Sequence, residues 1–434
     1  MTRVGESWGR YPCAQQQEIR ALRHRDEALP DRPSMLAYGN GRSYGDSCLN
    51  DGGTLLHTRP LDRLMAFDAA TGVLRCEAGM LLAEILDFAV PRGWFLPVTP
   101  GTRFVTVGGA TANDVHGKNH HVAGTFGRHV RAFELLRSDG TRRVCTPAEH
   151  ADWFGATVGG LGLTGVITWT EIALRPIASP WLATETHRFE GLDAFFDLSH
   201  RSDSGHEYTV AWIDCTARGR HAGRGLFMRG NHADGDVAPP SSHSRRPLRM
   251  PLVPPVSLVN RLSLRPFNWL YYHTSPRTPV RTVRHYEPYF YPLDGILDWN
   301  RMYGPRGFLQ YQCVVPPTAA QAAVAALLET IARSGKGSFL AVLKQFGAQR
   351  SPGMLSFPRP GTTLALDFPN DGEPVLALLD RLDAIVAEAG GAVYPAKDAR
   401  MSGQRFRQYY PNWEAFAAFI DPRMSSGFWR RVTS

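Results

Sequence analysis

Three glycine-dense segments constrain this chain most. The first, Gly39-Asn40-Gly41-Arg42-Ser43-Tyr44-Gly45-Asp46, follows a strand-like run from Met35 to Tyr38. Glycines at that density let backbone N–H groups turn into one concavity, which suits a pyrophosphate, although a plain tight turn would also use them. The segment lacks the Gly-Lys-Ser/Thr ending of a Walker A loop and the following helix of a Rossmann fingerprint. The second runs from Pro100 to His121. Its small residues at 108 to 112 allow a flat cofactor to lie against backbone, with His116, Lys118, Asn119 and His120 as polar groups at one edge. No carboxylate or cysteine completes a metal set with the histidines, and His120 and His121 would point apart on a strand, so no metal is expected. The third, Gly160-Leu161-Gly162-Leu163-Thr164-Gly165, matches GxGxxG, yet the β-branched run after it offers no helix. It reads as a glycine corner passing close to a cofactor, and NAD is not implied.

At 434 residues the chain exceeds one compact core, and two domains are expected. Short strands at Thr54 to Thr58, Gly72 to Glu77 and Gly165 to Leu174, with one helix from Met80 to Val90 stopped by Pro91 and Gly93, give an α+β first domain over 1–178. Residues 179–391 form a second, substrate-binding domain. Its strands Tyr208 to Asp214, Phe308 to Val315 and Thr363 to Phe368, with helices Thr318 to Arg333 and Val375 to Ala389, predict an antiparallel sheet covered by helices. Residues 392–434 return to complete the first domain. Within the second domain, 234–280 is proline-dense, loses its acids after Asp236 and gathers Arg245, Arg246, Arg249, Arg261, Arg265 and Arg277 around Phe267-Asn268-Trp269-Leu270-Tyr271-Tyr272. It reads either as a flexible loop or as a flap on a lipid surface, with arginines toward phosphate and aromatics at the interface.

A net charge of +8 favours anionic ligands but gives no nucleic-acid footprint. The six cysteines show no CxxC pair and suit a reducing compartment. Neither a secretory signal nor a run of eighteen apolar residues is apparent, so a cytoplasmic protein, or one peripheral to the inner membrane, is expected.

Together the glycine segments resemble the FAD-binding half of the vanillyl-alcohol-oxidase (PCMH-type) flavoenzymes. The strings GNGRSYGD, GGATANDVHGKNHH, AWID, GFLQYQ, LDFP and AKD, in this order, resemble the decaprenylphosphoryl-β-D-ribose 2′-oxidase family from about Trp8 to Arg423. The resemblance implies FAD held by Asn40, Gly41, Arg42, Ser43, Tyr44 and Gly45, with Gly101, Thr102, Gly109, Asn113, His116, Gly117, Asn119, Ile167 and Tyr394 along the cofactor. It implies a substrate cavity lined by Trp212, Gln310, Gln312, Lys344 and Lys397, with Lys397 and His116 at the reacting carbon. On residues alone, Lys397 also reads as a surface lysine paired with Asp398. Many related oxidases link FAD to a histidine where Tyr44 stands, so a non-covalent flavin is expected.

The implied reaction is oxidation of the C2′ hydroxyl of a polyprenyl-phosphoryl ribose, with a separate NAD(P)H-dependent keto-reductase as partner and quinone or oxygen as electron acceptor. The alternatives are a soluble sugar or alditol oxidase on the same scaffold, and a flavin-free scaffold tethering an epimerase partner. Three positions depart from a drug-target member of that family: Ala365 replaces a cysteine, Thr363 an asparagine and Phe290 a tyrosine.

Overall fold

In the computed structural model, which describes residues 3–235 and 247–434, strand alternation divides the protein into a core side and a cavity side. Along Phe308–Val315, Leu309, Tyr311 and Cys313 enter the main core, whereas Gln310 and Gln312 face a cavity. This strand belongs to an eight-stranded antiparallel sheet ordered Val280–His285, Trp181–Phe189, Gly225–His232, Tyr208–Ile213, Ala341–Phe346, Gly361–Pro369, Phe308–Val315, Ala392–Val393. The same period places Ala211, Leu343 and Leu366 in the core and Val210, Lys344 and Asp367 on the cavity face. Helices Leu192–Ser202, Ala320–Ser334 and Glu373–Glu388 cover the core face through Phe195, Leu327, Ile331, Leu378 and Leu382. Full burial of each such side chain contributes about 1.5–3 kcal/mol.

Two further sheets carry the glycine segments. Glu18–Ala21, Thr54–His57 and Met35–Tyr38 form a parallel sheet in that order. An antiparallel sheet follows the order Leu64–Asp68, Val73–Glu77, Val166–Ala173, Val130–Leu136, Arg142–Cys145. The fold class is α+β, as the mixture of strands and helices predicts. The GxGxxG corner leads into the strand Val166–Ala173, and Gly165 sits at φ +144°, where a Cβ would lie 2.7 Å from the Leu136 carbonyl oxygen. Near the C-terminus, Met35 N donates to Arg423 O at 2.7 Å and Ser425 N donates to Met35 O at 2.9 Å, so this segment runs beside the strand that precedes the first glycine loop.

Two local expectations change. The segment expected as a flexible loop contains the fourteen-residue helix Arg261–Thr274. Asn260 caps it by accepting from Leu262 N and Ser263 N, and Leu264, Asn268 and Tyr272, spaced four apart, form its buried side despite Pro266. Arg245 and Arg246 lie outside the described residues. His120 and His121 begin the short helix His120–Ala123, not a strand.

Candidate active site

A cavity of about 570 Å³ lies between the glycine segments and the eight-stranded sheet. Asn40, Gly41, Arg42, Ser43 and Tyr44 form one part of its wall. Gly41 has φ +60°, and a Cβ there would stand 2.2 Å from the Tyr38 hydroxyl, so glycine is required. Asn40 Nδ2 donates to Phe104 O at 2.6 Å and pins this loop to the second segment. That segment adds Gly101 and Thr102, then Gly109, Asn113, His116 and Gly117, while Ile167 arrives from the strand after the third.

The helix Val107–Ala112 forms because Thr106 caps it, its hydroxyl accepting from Gly109 N at 3.1 Å. Arg42 Nε and Ser47 Oγ, both on cavity-lining residues, are buried without a hydrogen-bond partner among the described residues. Burial also lowers the Arg42 pKa. Bare glycine backbone with unpartnered donors fits an anionic, flat cofactor such as FAD.

Two expected cofactor contacts do not reach the cavity wall. Gly45 packs against the chain after Lys397, where a Cβ would fall 1.7 Å from Asp398 O. Asn119 is buried and spends its amide on Pro97 O at 2.8 Å and Glu207 Oε1 at 3.2 Å.

The opposite wall is the sheet face bearing Trp212, Gln310, Gln312 and Lys344, joined by Tyr394 and Lys397. The Tyr394 hydroxyl donates to Asn113 O at 2.8 Å, and Tyr44 N donates to Ala396 O at 2.9 Å, so the lysine loop is tied to both glycine segments. Lys397 Nζ lies 3.8 Å from the centre of the Tyr44 ring. It does not pair with Asp398, whose carboxylate binds Arg431 at 3.0 Å and caps the backbone N–H groups of Arg400 and Met401. Burial lowers Lys397 to about 7, with Asp367 pulling the other way.

Asp367 and Lys118 complete the charge set; Lys118 stands among the polar groups of the second glycine segment, whereas Asp367 is not among the site residues expected from sequence. Burial raises Asp367 to about 7 against the Gln310 hydrogen bond at 2.7 Å and the charge of Lys397. The signal in sequence was a carboxylate at an inward position of an apolar strand, Gly361–Pro369. His116 is held between Gln312 Nε2 at 2.8 Å and Lys344 Nζ at 3.3 Å. Burial, then Lys344, His120 and Lys397, push its pKa well below the usual value, leaving a neutral ring.

Among the described residues no group of three His, Cys, Asp or Glu is placed to hold a metal. Of the departing positions, Ala365 and Phe290 line the cavity, and Thr363 Oγ1 lies 3.2 Å from the Gln312 amide.

A sequence profile of FAD binding domains matches residues 28–146. A decaprenylphosphoryl-β-D-ribose oxidase of Mycolicibacterium smegmatis is 38% identical over 402 residues, covering 89% of this chain and 86% of the relative. The chain belongs to the decaprenylphosphoryl-β-D-ribose oxidase family. An uncharacterised Streptomyces coelicolor protein is 36% identical over 79% of this chain and 96% of its own length. The human Delta(24)-sterol reductase is 28% identical over only 30% of this chain and 25% of its own, so that likeness is partial. As a member of the family, the chain is an FAD-dependent oxidoreductase acting on a hydroxyl group.

Proposed function

We propose that this protein oxidises the C2′ hydroxyl of a polyprenyl-phosphoryl-β-D-ribose to the 2′-keto sugar. The observation that carries this reading is a continuous cavity with Lys397, His116 and Gln312 toward the glycine wall and Trp212, Phe267 and Phe339 at its aromatic end. A ribose fits among the polar groups, and an apolar tail fits the aromatic end. That end also favours a lipid-linked substrate over a free sugar or alditol. FAD, when bound, supplies a two-electron acceptor for the hydride leaving C2′. Lys397 as a free amine takes the hydroxyl proton, and Asp367 then faces the ammonium formed. Neutral His116, fixed by Gln312 and Lys344, orients the sugar without adding charge.

The flavin is proposed to be non-covalent, because Tyr44 offers no linking imidazole. Acid precipitation should therefore leave FAD in the yellow supernatant, and a flavin-bearing protein mass would contradict it. The keto product needs a keto-reductase that returns hydride from NAD(P)H to the other face. Quinone or oxygen takes the electrons from the enzyme.

Borodeuteride trapping tests the position of oxidation. Reduction and hydrolysis of the product should yield arabinose and ribose labelled at C2. Xylose labelled at C3 would place the oxidation on the wrong carbon.

A further inference from the structure

We propose that Lys118 and Lys344 form a binding site for the phosphate of the lipid-linked substrate, between the sugar end and the tail end of the cavity. The proposal rests on the reading of the substrate as a sugar linked to a lipid through phosphate. It adds the location and residues of the anion site.

The sheet face supplies an ordered gradient. Crossing it strand by strand, Gln312 and Asp367 come first, Lys344 next, and Trp212 and Met228 last. Strands stand about 4.8 Å apart, so Lys344 emerges roughly 10 Å from the Gln312 strand and one strand from Trp212. The Lys344 side chain reaches back to His116 Nδ1 at 3.3 Å, beside the reacting end, and because the phosphate sits on C1′, next to C2′, this places the lysine within reach of the group that joins sugar to tail.

Lys118 reaches the same level from the opposite wall. Its carbonyl accepts from Thr209 N at 2.9 Å, beside the strand Tyr208–Ile213. The neighbouring register pairs Ala211 with Leu343, so Val210 lies across from Lys344. Both lysines line the cavity.

Neither lysine forms an ion pair with a carboxylate among the described residues. Lys118 Nζ donates to Phe290 O at 3.0 Å and otherwise faces the Tyr289 and Phe290 rings. Lys344 Nζ meets His116 Nδ1 at 3.3 Å and Gly117 O at 3.4 Å. Two buried ammonium groups with neutral partners are unfavourable unless an anion joins them. Burial lowers Lys118 to about 8, and burial with the nearby Lys118 and Lys397 lowers Lys344 to about 7. A phosphodiester keeps its negative charge throughout this range and would draw both lysines back to the charged form.

The test uses the FAD-loaded full chain and its Lys118→Met and Lys344→Met variants. Geranyl phosphate, geraniol and inorganic phosphate are titrated while the flavin spectrum is followed. Geranyl phosphate should bind the parent enzyme and lose about tenfold or more in affinity in each variant. Geraniol should bind all three proteins equally, and each variant should retain FAD.

Unchanged geranyl phosphate affinity in both variants would overturn the site. So would loss of FAD from the variants, which would assign the lysines to the cofactor. Inorganic phosphate binding as tightly as geranyl phosphate would overturn the lipid-linked assignment. Failure of geranyl-phosphoryl ribose to reduce the parent flavin would instead refute the oxidase reading, and the geranyl phosphate titration would still report on the site.

Discussion

Lys397 is the residue on which the proposed chemistry turns. It sits beside the Tyr44 ring, lacks the Asp398 pairing that its sequence neighbour suggests, and is lowered by burial to about 7. If the neutral amine accepts the hydroxyl proton, flavin reduction should rise about tenfold per pH unit below 7 and level off above it, because only the deprotonated fraction is active. Lys397→Ala should keep its FAD and lose substrate-driven reduction by about a hundredfold or more. A parent rate independent of pH from 5.5 to 8.5 would remove the base role, and an unchanged variant rate would remove Lys397 from the mechanism. The glycine loop and Lys397 were legible in short motifs, whereas the partners of His116 were not. Gln312 and Lys344 stand 196 and 228 positions away from it in sequence. For Asn119 the motif alone is ambiguous, because a polar residue inside it looks the same whether it faces a ligand or pins the chain to Pro97.

At the scale of elements, the C-terminal helix Gly427–Thr433 holds the lysine loop against the first glycine segment. Arg431 binds Asp46 at 2.7 and 3.0 Å and Asp398 at 3.0 Å, joining the two segments through one guanidinium. Arg431→Ala leaves two buried carboxylates without their cation, at a cost of about 3 kcal/mol in urea unfolding of the FAD-loaded protein. A change below about 1 kcal/mol would show that the clamp is dispensable. The helices Ala320–Ser334 and Glu373–Glu388 were readable because their apolar residues repeat at helical spacing over four turns. The helix Arg261–Thr274 was hidden. Pro266 interrupts it, and Leu262, Trp269 and Leu270 are exposed apolar residues that blur the narrow buried side.

Across the whole molecule, those exposed residues continue outward from the aromatic end of the cavity. Leu262 is 88% exposed and Trp269 56%, with Leu252 and Val256 also open and Arg281 nearby in the sequence. Among the described residues no helix is long and apolar enough to cross a membrane. We propose that this surface rests on an anionic bilayer, which would bring the cavity to its lipid-linked substrate. At low salt the full chain should sediment with phosphatidylglycerol vesicles, and Leu262→Glu with Trp269→Glu should release it. Full recovery of the parent protein in the supernatant would contradict the contact. The α+β architecture followed from local strand and helix patterns. The meeting of glycine segments, sheet face and lysine loop around one cavity depends on long-range packing that no local pattern encodes. The most direct test of the account is anaerobic flavin bleaching by a short-chain polyprenyl-phosphoryl-β-D-ribose, beside free ribose and simple alditols. Rapid bleaching by the lipid phosphate alone is the predicted result, and bleaching by the free polyols with none from the lipid phosphate would contradict it.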